Sequence, residues 1–290
     1  METMTFRQML EKYGRSWVSI TALVLVHLGA CAAFFIFTWE GLWIAMMLYI
    51  LMGLGVTVGF HRLFVHESFQ TYAWIRWLFA LLGGLSGQGH VRFWATVHRM
   101  HHKWSDQEGD PHSPIHGFWW SHFLWLTVRT PREECEKLEK KFIPDILQDP
   151  VVTRICRWTL PLHICVAALL FTSGWAYDGW TMGISWLLWG FFLRIAVMFH
   201  MSWCVNSITH LWGYRTYPTR DTSRNNPLVA LPGFGEWHNN HHGKPRAANH
   251  GRRWWELDPG YRFIRILQLL GLAWNIEYEP ACPAGRPDPS

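Results

Sequence analysis

Uncharged apolar stretches alternate with polar segments along the chain, and four of these stretches are long enough to cross a bilayer. They run over residues 17–39, 41–60, 158–177 and 180–204, and Arg194 is the one charged residue among them. Each exceeds the roughly 18 apolar residues that separate a membrane-spanning helix from a helix of a soluble core. The pattern predicts an all-α integral membrane protein with four transmembrane helices.

A fifth apolar segment, residues 71–90, contains Arg76 and four glycines, and its hydrophobic run is weaker. Histidine clusters lie on both sides of it, so a full crossing would place them in opposite compartments. We therefore expect this segment to lie in the membrane interface or to re-enter the membrane, which buried backbone permits.

Lysine and arginine are unevenly distributed around these helices. Arg7, Lys12 and Arg15 precede the first helix, whereas Glu40 and residues 174–179, which join the helix pairs, include neither residue type. The positive-inside rule then predicts that both termini and every histidine cluster face the cytosol, in a bacterial inner membrane or the endoplasmic reticulum.

Residues 1–279 are predicted to form one membrane domain. After the fourth helix, Arg252 and Arg253 lead into a stretch rich in Trp, Ile and Leu that ends near Trp274. It is typical of a basic amphipathic helix on the membrane surface, although packing against the cytosolic cap would explain its apolar face as well. Residues 280–290 are rich in Pro and Gly and are expected to be disordered.

The composition agrees with a membrane protein: 50% of residues are hydrophobic, 16% are charged, and there are 21 tryptophans and a net charge of +5. These values suit an aromatic belt and basic cytoplasmic surfaces. No segment is dominated by Lys and Arg, which disfavours nucleic-acid binding. The 17 histidines are the unusual number, because histidine is costly to bury without a partner or a metal.

Three histidine clusters follow the predicted membrane helices. In the first, His61 and His66 are five residues apart, which in an α-helix is about 140° beyond a full turn. We therefore expect His61 at a helix end and His66 on an irregular segment folded back towards it. Residues 98–102 and 238–242 both have histidines at i, i+3 and i+4, a spacing that stacks three imidazoles on one helix face.

Asn206 and His210 also share a helix face and are predicted to project just beyond the fourth membrane helix. The candidate metal ligands are His61, His66, His98, His101, His102, Asn206, His210, His238, His241 and His242. Ten ligands are too many for one metal ion and suit two octahedral or near-octahedral ions. The sequence therefore predicts a cytosolic helical cap that carries a dinuclear metal site.

The remaining histidines are given no ligand role, and the purpose of Arg194 inside a predicted span does not follow from the sequence. These histidines are His27, His90, His112, His116, His122, His163, His200 and His250.

At these clusters the sequence resembles the membrane-bound acyl desaturases of the stearoyl type. The patterns His-Arg-x-x-x-His, His-Arg-x-His-His, Asn-Ser-x-x-His and His-x-x-His-His occur in that family's order and at similar intervals. Asp110-Pro-His and the flanks at 117–122 and 212–217 match as well. The resemblance covers residues 17–277.

The resemblance implies a centre of two iron ions that uses O2 to remove two hydrogens from adjacent methylenes of a long acyl chain, giving a cis double bond, most often at carbon 9. Asn206 matches the family's asparagine, which approaches a metal through water. Thr96 and Val97 replace the Arg-Asp pair of animal acyl-CoA members and are more like the bacterial and plant acyl-lipid branch. Acyl-CoA and acyl-lipid substrates both remain open.

Electrons are expected from a separate carrier, cytochrome b5 or ferredoxin with its reductase, because the chain contains no haem domain or ferredoxin-like cysteine cluster. Arg99, Lys103 and Lys244 would suit an acidic partner, although topology and lipid headgroups would also explain their charge.

The acyl tail is expected to run between the helices that carry His61 and Asn206. Counting back from His61 places Tyr49 about 18 Å below the metals and Met46 slightly deeper. Tyr49, Met46 and Trp94 are therefore candidate tunnel residues, and the alternative for Tyr49 is a lipid-facing or core aromatic.

Three other functions remain open at this stage. A related diiron hydroxylase would share the same ligands, and only its product would differ. A membrane metal transporter should carry its ligands near the bilayer midplane, which the predicted positions disfavour. A structural zinc protein would contain no iron.

Overall fold

A computed structural model describes residues 6–280, and nearly all of its regular structure is helical. The α-helices are Phe6–Tyr13 (α1), Trp17–Ala33 (α2), Trp39–Leu54 (α3), Ala73–Gly84 (α4), Val91–Trp104 (α5), Phe118–His122 (α6), Arg132–Phe142 (α7), Pro144–Leu147 (α8), Pro150–Ile155 (α9), Thr159–Leu187 (α10), Arg194–Leu211 (α11), Pro227–Ala230 (α12), His238–Gly243 (α13) and Pro259–Leu269 (α14). Gly55–Val65 and Leu188–Leu193 are π-helices, and Pro114–His116, Leu124–Thr127 and Cys156–Trp158 are 3₁₀ turns.

A two-stranded sheet is the one departure from the expected all-α class within the described residues. Gln70–Thr71 (β1) pairs antiparallel with Ala273–Trp274 (β2). The pairing fastens the segment after the first histidine cluster to the end of the described chain.

Two helical runs, residues 39–65 and 150–211, are long and apolar enough to cross a membrane. The second run is broken at Asp178 and Gly179, whose backbone angles are not helical. The chain reverses there, and a Cβ at Gly174 would lie only 2.8 Å from a backbone oxygen of the returning helix. The third and fourth predicted helices are therefore separate and pack closely against each other.

Two further helices are apolar but shorter, α2 with 17 residues and α4 with 12. At 1.5 Å per residue, α4 is about 18 Å long, too short to cross a hydrocarbon core of about 30 Å. It packs instead along the first π-helix, where glycines of both helices allow close contact.

The expected amphipathic helix from Arg252 to Trp274 is wrong in its extent. Only α14 is helical there, because Pro259 favours the first helical turn and Asp258 caps it by accepting from the Tyr261 amide at 2.8 Å. Arg252 is buried and donates to a backbone carbonyl near the end of the described chain. The predicted disordered tail, apart from Pro280, lies outside the described residues.

The largest hydrophobic core lies behind the first π-helix. Phe60 of that helix, Phe79 of α4, Ile143 before α8 and Ile264 of α14 are all almost fully buried in it. This core joins the apolar helices to the polar cap and holds the first histidine cluster against α5.

Candidate metal centre

The first π-helix explains the five-residue spacing of the first cluster. The His66 amide donates to the His61 carbonyl at 3.1 Å, an i to i+5 bond. Because a π-helix bonds i to i+5, residues five apart come onto nearly the same face, and the two imidazole centroids are 4.8 Å apart. The expectation of an irregular segment around His66 was therefore wrong, since the wider helix continues to Val65 and His66 caps it.

Five of the predicted ligands converge on one point. This five-histidine group comprises His61, His66, His98, His102 and His241. Their Nε2 atoms face each other at 3.0 Å for His61–His241, 3.0 Å for His66–His98, 2.9 Å for His98–His102 and 2.8 Å for His102–His241. The π-helix, α5 and α13 thus each contribute to one group.

Four other predicted ligands form a neighbouring four-histidine group. It comprises His101, His210, His238 and His242. The Nε2 atoms of His210 and His238 are 2.9 Å apart, and the rings of His101 and His242 are centred 5.0 Å apart. The i, i+3, i+4 spacing therefore divides each cluster between two groups. Asn206, one turn before His210 on α11, lines the adjoining cavity.

The chemistry of both groups fits a divalent transition-metal ion. Cis ligands at metal–nitrogen distances of about 2.1 Å lie about 3 Å apart, close to the observed separations. Burial lowers the pKa of several imidazoles well below the usual range, so they are neutral and keep a lone pair for a metal. These are His66, His98, His102, His238 and His241. The buried Nε2 atoms of His101 and His242 have no hydrogen-bond partner among residues 6–280.

Carboxylates hold the opposite nitrogen of four rings, and the sequence reasoning did not identify this role. His101 Nδ1 donates to Asp110 at 2.9 Å, and His210 Nδ1 donates to Asp106 at 3.2 Å. His242 Nδ1 donates to Asp221 at 2.7 Å, and His61 Nδ1 donates to Glu236 at 3.1 Å. Such partners fix the tautomer and leave Nε2 for the metal. Two signals were present: Asp106 and Asp110 follow the second cluster, and Glu236 precedes the third.

These carboxylates are ionised at neutral pH. Burial alone would raise the pKa of Asp110, but the facing His101 and His112 hold that pKa well below its usual range. Burial would likewise raise the pKa of Glu236, and His61, His250 and Arg62 lower it instead. Negative charge thus lies directly behind the imidazoles, where it favours a bound cation.

Glu236 belongs to a buried network that also contains a cation. Arg62 has no exposed surface and donates to Glu236 at 3.2 Å, to Asp258 at 3.1 Å and to the Ala248 carbonyl at 2.8 Å. His250, which was given no role from sequence, is fully buried with its ring 4.7 Å from that of His241. The five-histidine group is therefore backed by a paired carboxylate rather than a free one.

An apolar cavity of about 390 Å³ passes both groups. Its wall includes Tyr49 and Trp94, two of the candidate tunnel residues, and the indole of Trp94 stacks on His98 with centroids 4.7 Å apart. Tyr49 donates to the Pro232 carbonyl at 2.8 Å. Met46 does not line this cavity and is 46% exposed, because it lies one turn beyond the level at which Tyr49 borders it.

A hydrogen-bonded bridge crosses the cavity wall. Trp94 Nε1 donates to Gln88 Oε1 at 3.1 Å, and Gln88 Nε2 donates to Ser202 Oγ at 2.7 Å. Gln88 and Ser202 both line the cavity. The bridge joins the loop after α4 to α5 and α11 beside the five-histidine group.

The three basic residues expected to meet a partner differ in availability. Arg99 is held by Asp145, at 2.6 Å and 2.8 Å, and by the Val65 carbonyl at 2.9 Å, so its charge is already paired within the chain. Lys103 is exposed and directly follows His102 in the chain. Lys244 Nζ lies 3.5 Å from a carboxylate oxygen of Glu279.

Comparison with known proteins agrees with this geometry. The fatty acid desaturase family profile matches residues 37–267. The chain is 41% identical to an sn-1 stearoyl-lipid 9-desaturase of Anabaena variabilis, over 90% of this chain and 94% of that protein. It is 38% identical to an sn-2 palmitoyl-lipid 9-desaturase of Nostoc sp. (strain 36), over 91% of each chain.

An Acyl-CoA 5-desaturase, AL21 of Anemone leveillei, is 37% identical over 91% of this chain and 81% of that protein. Similarity at this level over nearly the whole chain confirms the family that the histidine patterns indicated. The chain belongs to the fatty acid desaturase family.

Proposed function

We propose that this fatty acyl desaturase introduces a cis double bond at carbon 9 of a long acyl chain carried by a membrane lipid, with two iron ions and O2. The observation that carries the proposal is the pair of histidine groups on the wall of an apolar cavity of about 390 Å³. Relatives named stearoyl-lipid and palmitoyl-lipid 9-desaturases support the position and the carrier.

The five-histidine group would hold one iron and the four-histidine group the other, with Asn206 near the second through water. Iron bound there would activate O2, which with two electrons from the carrier and two protons would take one hydrogen from each of two adjacent methylenes and leave as two waters. The chain's own residues do the rest. Val56, Phe199 and the indole of Trp94 hold the acyl chain along the ligands and exclude water, and the carboxylates keep each Nε2 directed inward.

The cavity also supports lipid-borne acyl chains. Its lining includes Val18 of α2 and Phe93 of α5, which are 84% and 39% exposed. Both belong to apolar surfaces that a bilayer would cover. An acyl chain could enter from the membrane between these helices while its headgroup stays in the interface.

For the topology we propose four crossings with both termini and the metal centre in the cytosol. The break at Asp178, the length of α10 and α11, and the apolar surface of α2 support the count. The distribution of Lys and Arg supports the orientation. Reporters fused to either terminus should both be cytosolic, and a signal from the opposite compartment at one terminus alone would require an odd number of crossings.

We further propose that an acidic one-electron carrier, cytochrome b5 or ferredoxin with its reductase, docks near Lys103. This exposed side chain directly follows the ligands of α5, so a partner there would be close to both groups. Lys103→Ala should slow electron transfer at low salt and matter less at high salt.

The decisive experiment is expression in a host without unsaturated fatty acids, followed by mass spectrometry that locates any new double bond and its lipid class. A double bond at carbon 9 in intact glycerolipids supports the proposal. A hydroxylated product would favour a diiron hydroxylase instead, and purified protein that contains zinc but no iron after growth with ample iron would favour a structural zinc site.

A further inference from the structure

Arg194, the first residue of α11, is buried inside the helical bundle with 2% of its surface exposed. Its Nε donates to the Gly190 carbonyl at 3.0 Å and its Nη1 to the Leu85 carbonyl at 2.7 Å, and Met52 sulfur is a further contact. No carboxylate pairs with it in the part of the chain that the structure describes. A buried cation without a counter-ion is expensive and calls for a specific reason.

The end of α4 supplies part of that reason. Leu85 is the C-cap of α4, where unsatisfied carbonyls carry the negative end of the helix dipole. The guanidinium therefore sits where a cation is stabilised without a carboxylate. In return it fixes the point at which the chain leaves α4 for the loop at residues 85–90.

Beyond its contact with Arg194, the 85–90 loop runs alongside α11. Gly87 adopts φ +84°, and a Cβ there would lie 2.8 Å from the Ile195 side chain. Two turns further along α11, Ser202 accepts from Gln88 at 2.7 Å. The loop thus touches α11 at Arg194 and Ile195 and again at Ser202.

The last contact of the loop reaches the metal centre. Gln88 also accepts from Trp94, whose indole stacks on His98 at an interplanar angle of 19°. Gln88, Trp94 and Ser202 line the cavity together. A displacement of the loop would therefore move the wall that faces the acyl chain.

We propose that Arg194 is a positioning residue: by holding the start of the 85–90 loop, it fixes the Gln88–Trp94 wall and so determines which methylenes of the acyl chain face the two histidine groups. This inference rests on the proposed desaturase function. Arg194 itself does not line the cavity, so it acts through the loop and not by contact with substrate.

The test compares Arg194→Lys and Gln88→Leu with Trp189→Phe as the control. Lysine keeps the charge but cannot replace the guanidinium fork that reaches two carbonyls. Trp189→Phe also removes a buried donor from the same helical run, but that donor bonds to the carbonyls of Ala33 and Ile36, away from the loop. Iron per chain, kcat, KM and double-bond position are measured for each purified protein.

Arg194→Lys and Gln88→Leu should keep the wild-type iron content, lower kcat by about tenfold or more, and spread the double bond over neighbouring positions. Trp189→Phe should keep the wild-type position. A single unchanged position in Arg194→Lys with normal kcat overturns the inference. If that variant does not accumulate, Gln88→Leu still tests the inference, because a wild-type product from it would mean that the wall does not set the double-bond position. Absence of any double bond in the wild-type protein would refute the proposed function instead.

Discussion

Three of the four imidazoles in the four-histidine group donate Nδ1 to a carboxylate, whereas one of the five in the five-histidine group does so in the described residues. The three carboxylates are Asp106, Asp110 and Asp221. The single one, Glu236, is shared with Arg62 and His250. The two groups therefore lie side by side in unlike electrostatic surroundings.

The difference suggests that the two groups hold the same kind of metal ion in different ways. The four-histidine group combines fewer nitrogens with net negative charge behind them, which attracts a divalent cation and makes the imidazoles better donors. The five-histidine group adds a fifth nitrogen, while its one carboxylate, Glu236, is partly offset by Arg62, which it shares with Asp258. We expect the ion in the four-histidine group to be held more by charge and the other more by ligand number.

The largest expected effect is the loss of a ligand from either group. His98→Ala and His101→Ala are a matched pair, because both residues lie on α5 but belong to different groups. Each should abolish desaturation, a larger loss than the about 10- to 100-fold cost of removing an outer partner. Iron should fall to about half in each purified protein, while membrane insertion stays normal. Substantial desaturation by either variant would contradict a two-iron centre.

Removing metal in steps sharpens the comparison. With increasing chelator, iron should leave in two phases, and the phase that resists should belong to the four-histidine group because its carboxylates attract the cation. The remaining iron of His98→Ala should therefore survive more chelator than that of His101→Ala. Equal resistance in the two variants would mean that the carboxylate asymmetry does not affect retention.

A smaller effect is expected from the carboxylates themselves. Asp110→Asn removes the charge behind His101 and should weaken iron binding at that group by about 10- to 100-fold. Asp145→Asn is the control, since this partly exposed carboxylate pairs with Arg99 and touches neither group. Metal titration of both proteins measures the difference, and equal affinities would show that Asp110 has no influence on the ion.

The smallest effect leaves both groups intact. Tyr49→Ala removes a ring that packs on Phe234 and borders the cavity, and the space left should favour acyl chains about two or more carbons longer. Iron content and double-bond position should not change. Met46→Ala, on the exposed side of the same helix, should leave chain preference as it is. Assays with saturated chains of increasing length measure this preference. If both variants matched the wild type, Tyr49 would not limit the length of the acyl chain.

Local spacing predicted much of the site, because histidines at i, i+3 and i+4 share a helix face wherever the helix lies. The structure brings all nine predicted histidines together, although it divides the second and third clusters between the two groups. That division depends on how α5 and α13 face each other. Contacts between elements so distant in the chain do not follow from spacing within one helix.

The remaining features depended on long-range contacts or on an uncommon helix type. Glu236 meets His61 across 175 residues, and Asp221 reaches His242 from a loop without a recognisable pattern. The pairing of Arg99 with Asp145 did not follow from the sequence because the two residues are 46 positions apart. The uncharged stretches separated the third and fourth spans at residues 178–179, where the backbone leaves the helix, but they gave no sign of a π-helix.

The π-helix at Gly55–Val65 also changes how length is measured along the cavity. A helix that bonds i to i+5 places more residues in each turn, so it is wider and shorter than an α-helix of the same sequence. Counting 1.5 Å for each residue from His61 to Tyr49 therefore overstates their separation. If Tyr49 limits the acyl tail, the helix type sets the distance from the histidines to Tyr49 and therefore the chain length that the cavity accepts. Deletion of one residue within this helix would restore α-helical spacing. It would rotate Tyr49 away from the cavity and change the distance between Tyr49 and the histidines together.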